Sequence, residues 1–279
     1  MTTTAWRGRV RHQGKTYPAL RRGERVWLGR AGDVLFGDGF DKTRFDVEVA
    51  LDDVDVLCPV GAEHRPQIVC VGRNYAAHAK ELGNAVPDEP KLFLKPHTTL
   101  IGPGDAIVRP VHMSNLVHHE GEFAVVVGKP FVDVTRDNAL DFIAGFTLAN
   151  DVTARDVQRK DSAFSRGKGF ATFCPLGPWV VPLEEDNAWL SGPVIVNVNG
   201  KERQRGCASD MVFDVVTLVA FIAQVFALQP GDIILTGTPE GVGPLVAGDE
   251  VVVDCGLLQL QNPVVNGPST PSWRPADTH

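Results

Sequence analysis

Apolar residues along this chain fall in short runs punctuated by glycine, proline and asparagine, a pattern that predicts strands and turns more than long helices. Residues 9–12, 16–20 and 25–28 are the first strand candidates, separated by Gln13-Gly14-Lys15 and Arg22-Gly23-Glu24. They predict a small β-rich unit reaching to about Pro59, with no catalytic cluster in it. From Gln67 the runs become more apolar, and 68–72, 91–96, 106–109, 117–128 and 142–150 read as strands, most of them buried. Residues 194–198 and 201–204 flank Asn199-Gly200, a pair that suits a type I′ hairpin turn. Val215, Leu218, Val219, Ile222 and Phe226 have the spacing of an amphipathic helix over 214–226, with Asp214 as its N-cap. A shorter capped helix is predicted over 134–141. Strands over 245–253 and 257–265 close the fold, and the Gly/Pro/Ser/Thr-rich residues after Asn266 predict a flexible tail. The pattern predicts a β-rich α+β fold with a small N-terminal β-rich domain over 1–62, a larger domain over 63–265 and a tail over 266–279.

At 279 residues the chain can bury a substantial core. Its net charge of −7 disfavours nucleic acid or an anionic membrane as a general partner. No apolar run reaches the roughly 20 residues of a membrane span. The start, Met1-Thr2-Thr3-Thr4-Ala5-Trp6-Arg7, lacks the apolar stretch of a secretory signal. Cys58, Cys70, Cys174, Cys207 and Cys255 are odd in number and scattered, which fits thiols in a reducing cytoplasm better than disulfides or a zinc site. A cytoplasmic location is the resulting expectation.

Candidate chemistry begins in 117–128, where Glu120 and Glu122 stand at the mouth of the apolar run. Side chains at i and i+2 of one strand share a face, so the two would raise one another's pKa unless a cation intervenes. Such a pair can lie in water, or it can hold a divalent ion through oxygen ligands. His118 and His119 precede it, yet no H-E-x-x-H and no cysteine cluster supports zinc. His78 and Glu81 are spaced to share the face of a helical turn. A carboxylate beside an imidazole suits general-base work, and an exposed ion pair has the same spacing. The polar, proline-bearing loop 84–90 follows as either a mobile cover or an inert connection. Lys168 lies between two glycines, either on a flexible loop or on backbone that must approach a neighbour closely. The glycine-rich turn 235–243 carries neither nucleotide motif, although its N–H groups with Thr236 and Thr238 can meet an anion.

Taken in order, six motifs make the chain resemble the fumarylacetoacetate hydrolase superfamily from about Gln67 to Val265. They are Gly72-Arg73-Asn74-Tyr75 with His78, Phe93-Leu94-Lys95-Pro96, His119-Glu120-Gly121-Glu122, Asn150-Asp151-Val152-Thr153-Ala154-Arg155-Asp156, Gly167-Lys168-Gly169-Phe170 and Leu235-Thr236-Gly237-Thr238-Pro239. The N-terminal unit is similar to the small domain that bacterial members often carry. The resemblance implies a mixed β-sandwich roll and a divalent metal, Mg²⁺ with Mn²⁺ or Ca²⁺ as alternatives, held by Glu120, Glu122 and Asp151. It implies His78 and Glu81 as a catalytic dyad under a lid, and Lys168 as a charge that stabilises an enolate. Arg73, Lys95, Arg155, Gln158 and Thr238 are implied as substrate-binding groups. The implied substrates are 2-oxo or enol diacids and acylpyruvates, and the implied assembly is a homodimer. Carbon–carbon hydrolysis, decarboxylation and isomerisation all pass through an enolate, so the motifs do not choose among them. An idle metal-binding scaffold is the rival from another class. Two features depart from the family pattern. Leu257-Leu258-Gln259-Leu260 stands where a polar closing hairpin is more usual, and the short segment between Asp151 and Lys168 predicts a cleft wall supplied by the N-terminal domain or a neighbouring subunit.

Overall fold

The computed structural model describes residues 4–61, 64–161, 163–183 and 192–269; residues 270–279 of the expected tail lie outside the described residues. The protein is β-rich with few helices. At its centre two antiparallel strands, Gly121–Val127 and Ile143–Asn150, are buried almost throughout. Burial on both faces is why they read as continuous apolar runs. Phe123, Val125 and Val127 join Phe146 and Leu148 in the main core. Ala124 and Val126 point the other way, towards Ile68, Cys70, Cys174 and Leu176.

A large sheet extends from this pair in both directions. On one side it continues through Ile233–Leu235, Ile68–Gly72 and Lys91–Lys95. On the other it continues through Cys174–Val181 to the N-terminal strands Trp6–His12, Lys15–Arg22, Arg25–Leu28 and Val47–Ala50. The N-terminal strands join at Arg7↔Val180, where Gly8 lies so close to Trp179 that a Cβ would come within 2.6 Å of the indole. A second sheet, formed by Lys201–Cys207, Pro193–Val198, Glu250–Asp254, Gln259–Asn266 and Ile107–Arg109, covers the main-core face with Val194, Val196, Val253 and Leu260. Its Asn199-Gly200 hairpin turn has the expected positive φ at both residues.

Four α-helices are described: α1 (Ala76–Glu81), α2 (Arg155–Lys160), α3 (Ser165–Lys168) and α4 (Val215–Ala223). The last is the amphipathic helix expected from the apolar spacing, and Asp214 accepts the Thr217 N–H at 2.7 Å as its N-cap.

Three local expectations are corrected. The run 117–128 is two strands, not one: Val117–His119 pairs with Thr153–Ala154 and Gly243–Pro244 in a separate three-stranded sheet. Gly121–Val127 then enters the large sheet, with Glu120 in the break. The residues 134–141 form no α-helix. Asn138 Oδ1 captures the Thr135 N–H at 2.7 Å, and only a 3₁₀ turn, Ala139–Phe142, follows. The strand over 245–253 starts late, at Glu250, because Val246–Asp249 folds into a turn closed by Val246 N–H to Asp249 Oδ2 at 2.7 Å.

Candidate active site

The break at Glu120 brings the two glutamates together in a way that simple strand alternation does not. The Glu120 N–H donates to Asn150 Oδ1 at 2.9 Å, and the Asp151 N–H donates to the Glu120 carbonyl at 2.8 Å. The end of Ile143–Asn150 is thereby stitched to the start of Gly121–Val127. Gly121 between the glutamates is required by the second sheet, since a Cβ there would overlap Val196. As a result Glu120, Glu122 and Asp151, all buried, place one carboxylate oxygen each within 4.8 Å of one another.

Three buried cations interleave with this triad. Lys168 Nζ donates to Glu120 Oε2 at 2.7 Å and also to Asp151 Oδ2. Lys95 Nζ donates to Asp151 Oδ1 at 2.7 Å. Arg155 Nη2 donates to Glu120 Oε1, while Nη1 donates to Gln158 Oε1 at 2.6 Å. The glycines beside Lys168 explain its position. A Cβ on Gly167 would lie 2.8 Å from Gln158 Cβ, and one on Gly169 would lie 2.5 Å from the Ser165 carbonyl. Close packing of α3 on α2 delivers the ammonium into the interior; it is not a surface loop.

Burial pushes the Glu120 carboxyl up, but Lys168 and Arg155 together outweigh it and hold Glu120 well below the usual carboxylate range. Burial pulls the Lys168 ammonium down, and Asp151 with Glu120 more than reverses this. Glu122 differs. Burial and then the neighbouring Asp151 push its carboxyl well above the ordinary range, and among the described residues it has no ion pair of its own. Its Oε2 accepts the Gly237 N–H at 2.7 Å. A buried carboxylate beside two others, itself without a cation partner, is a donor set that fits a hard divalent ion.

Around the triad lies a cleft of about 420 Å³, lined by residues between Val71 and Thr238. His78 and Glu81 stand in its wall on α1, with Nδ1 and Oε2 3.2 Å apart. The carboxylate accepts from Nδ1, which leaves the Nε2 lone pair free to act as a base. Glu81 Oε1 accepts the Gly241 N–H at 3.0 Å, so the glycine-rich turn orients the dyad. Arg73, Arg155, Gln158, Lys168 and Thr238 also line the cleft, as does Arg159, which the sequence did not single out.

Two placements differ from expectation. Lys95 does not line the cleft; its ammonium is committed to Asp151 and, at 3.3 Å, to the Val152 carbonyl, so it supports a carboxylate from behind. No residue of 4–61 lines the cleft either. Within this chain α1 to α3 with Phe93 and Phe164, ring centroids 5.3 Å apart, line the cleft in place of the N-terminal domain, one of the two sources expected for that wall, the other being a neighbouring subunit.

Gln204, missed by sequence reasoning, ties the site together from the second sheet. Its Oε1 accepts from Gly121 N–H at 3.1 Å and lies 2.9 Å from His119 Nδ1. Its Nε2 donates to Thr238 Oγ1 and to the Pro239 carbonyl, both at 2.8 Å. An N–H donor at one end and a carbonyl at the other determine the orientation of the amide. His119 Nδ1 must therefore carry a proton, and burial keeps this imidazole neutral by lowering its pKa. Thr238 Oγ1 in turn donates to the Gly121 carbonyl at 2.8 Å, so its hydroxyl proton is already engaged. The only available signal was a glutamine in a strand whose other residues are polar and exposed or half-buried.

Residues 67–265 match the family model described as fumarylacetoacetate (FAA) hydrolase C-terminal. The chain belongs to this family. Among its relatives, oxaloacetate tautomerase YcgM of Escherichia coli (strain K12) is 41% identical over 191 residues, 67% of this chain and 87% of that protein. The mitochondrial oxaloacetate decarboxylase of Dictyostelium discoideum is 40% identical over 198 residues, 70% of this chain and 89% of that protein. The crystal structure of 5-carboxymethyl-2-hydroxymuconate delta-isomerase from Mycobacterium smegmatis superposes with a TM-score of 0.80 at 39% identity, covering 94% of this chain and 99% of that one. These relatives are named enzymes. Among the described residues no helix is long and apolar enough to cross a membrane.

Proposed function

We propose that this chain is a divalent-metal-dependent enzyme acting on 2-oxo or enol diacids, or on acylpyruvates, through an enolate. The supporting observation is Glu122: a buried carboxylate with no ion pair of its own among the described residues, beside two carboxylates that already converge on cations. In this reading Glu120, Glu122 and Asp151 hold Mg²⁺, or Mn²⁺ or Ca²⁺ in its place. When bound, the ion supplies Lewis acidity to the 2-oxo oxygen and the neighbouring carboxylate of the substrate. His78 Nε2 moves the proton, from carbon beside the oxo group in an isomerisation or from water in a hydrolysis, and Glu81 stabilises the imidazolium that results. Lys168 donates towards the oxygen on which enolate charge gathers. Arg155 and Gln158 orient the bound acid, with Thr238 beside them in the cleft wall, while the Gly237 N–H stays on Glu122. The names of the relatives favour proton transfer or loss of CO₂ beside the oxo group over hydrolysis. The sheets then correspond to the family's mixed β-sandwich roll, 1–62 to a small domain outside the cleft, and the working form to a cytoplasmic homodimer.

The test is a set of rate measurements on oxaloacetate tautomerisation, oxaloacetate decarboxylation and acylpyruvate cleavage. Chelator-treated protein should be inactive in all three, and Mg²⁺ should restore at least one. Absence of every activity with Mg²⁺ present would leave the idle scaffold as the better description.

A further inference from the structure

The buried charges of the site satisfy one another. Lys95, Lys168 and Arg155 are all taken up by Asp151 and Glu120. Glu122 is set aside for the metal in the reading above, and the other cleft carboxylate, Glu81, has one oxygen on His78 and the other on the Gly241 N–H. Two cleft-lining cations are then left over, Arg73 and Arg159. Among the described residues neither guanidinium has a hydrogen-bond or ion-pair partner. Lys91 adds to the positive rim, its ammonium 4.8 Å from the centre of the Phe164 ring. Its pKa is lowered by burial and by Arg73.

Arg73 is held there at some conformational cost. It has φ +62, a left-handed conformation that non-glycine residues adopt mainly where their surroundings impose it. Asn74 supplies the constraint: its Nδ2 donates to the Thr236 carbonyl at 2.8 Å and the Phe213 carbonyl at 3.0 Å, and its Oδ1 accepts the Phe213 N–H at 2.9 Å. Arg159 lies four residues beyond Arg155 on α2, an axial rise of about 6 Å along the same helix face. That distance is comparable to the separation of the two carboxyl groups of a short diacid. With Arg155 bound to Glu120, the next turn of α2 brings to the same cleft a guanidinium with no partner among the described residues.

We propose that Arg73 and Arg159 are specificity-determining residues that pair with the distal carboxylate of the substrate, so that the cleft selects 2-oxo dicarboxylates over neutral-tailed 2-oxo acids. This rests on the metal-centred reading above and chooses between its two substrate classes. Arg159 is exposed, so solvent screens its contribution and each residue contributes a moderate factor.

The experiment is calorimetric titration of the Mg²⁺-loaded protein with three probes. Oxalate reports the metal end alone, 2-oxoglutarate carries a distal charge, and 2-oxohexanoate carries a neutral tail. Wild type should bind 2-oxoglutarate about tenfold or more tighter than 2-oxohexanoate. Arg73→Gln and Arg159→Gln should each weaken 2-oxoglutarate by roughly three- to tenfold. The double variant should lose the preference, with oxalate and 2-oxohexanoate unchanged. Intact oxalate binding also shows that each variant is folded. A wild type without the preference, or a double variant that keeps it, overturns the inference and leaves the metal-centred reading standing. Loss of oxalate binding in the arginine variants also overturns it, since those residues would then serve the metal end. If oxalate fails to bind wild type with Mg²⁺, the metal-centred reading falls and this inference falls with it.

Discussion

Replacing Gln204 by leucine should destabilise the protein far more than a loss of one surface hairpin residue would. Gln204 is 1% exposed, and its amide serves two buried backbone groups, the Gly121 N–H and the Pro239 carbonyl, as well as His119 and Thr238. Leucine is close in volume, so little cavity forms, and what remains is the cost of orphaned polar groups. Each buried donor or acceptor left without a partner costs about 1–3 kcal/mol. Thr238 keeps its bond to the Gly121 carbonyl, and three orphaned groups, the backbone pair and His119, therefore give an expected loss of about 3–9 kcal/mol. Against a total stability of about 5–15 kcal/mol this is a large shift. Guanidinium unfolding of metal-free protein should show the midpoint falling with the slope unchanged. Gln204→Glu separates hydrogen bonding from shape. It keeps the outline and the acceptor but has no donor when ionised and only one when protonated, where the amide supplies two, to Thr238 and the Pro239 carbonyl, so it should not restore full stability. A loss under about 0.5 kcal/mol in the leucine variant, below the cost of even one orphaned group, would refute this account of the network.

Three further outcomes are expected. His78→Asn should lower turnover by about 10²–10⁴-fold, the usual contribution of a positioned base, while calorimetry shows Mg²⁺ affinity unchanged; full activity in this variant would remove the dyad from the mechanism. Glu122 should make Mg²⁺ binding release a proton, because its folded carboxyl is pushed above the ordinary range by burial and Asp151. Affinity should then rise with pH, and in metal-free protein the stabilising contribution of protonated Glu122 should fade as pH rises through that raised pKa. Glu122→Gln should flatten both trends and weaken binding, which titrations at several pH values would detect. Gly121→Ala, forced against Val196, should cost about 1–3 kcal/mol by overpacking and weaken Mg²⁺ binding through the displaced glutamates, both checked by unfolding and calorimetry.

The acidic triad and the dyad were legible because their spacing is local or follows directly from strand ends: His78 and Glu81 share a helical turn, and Asp151 closes a long apolar run. Helix α4 and the Asn199-Gly200 hairpin were legible for the same reason, since a cap or a turn residue acts within a few positions. What was missed depends on contacts far apart in the chain. Glu120 sits in a break between two sheets, a break imposed by Asn150 and by the approach of Val196 to Gly121. Gln204 acts across more than eighty positions on His119 and Gly121. Lys95 ends its strand as expected, but whether its ammonium faces a ligand or supports Asp151 is decided by partners the local pattern does not contain. Residues 134–141 carry helix-starting side chains, yet Asn138 used its amide on the Thr135 N–H and the Asp133 carbonyl instead.

The strand Trp6–His12 does its work at a distance from the chemistry. It lies along Cys174–Val181, and Trp179 is buried where Gly8 leaves room for its ring. A version of the chain shortened to begin near Pro66 would keep every cleft-lining residue. It would also bare an indole and the edge of the large sheet at Val180, where a second chain can pair. On the proposed function, catalysis and solubility are thus assigned to different ends of one sheet. A trimmed form should clump before it loses the ability to turn over substrate.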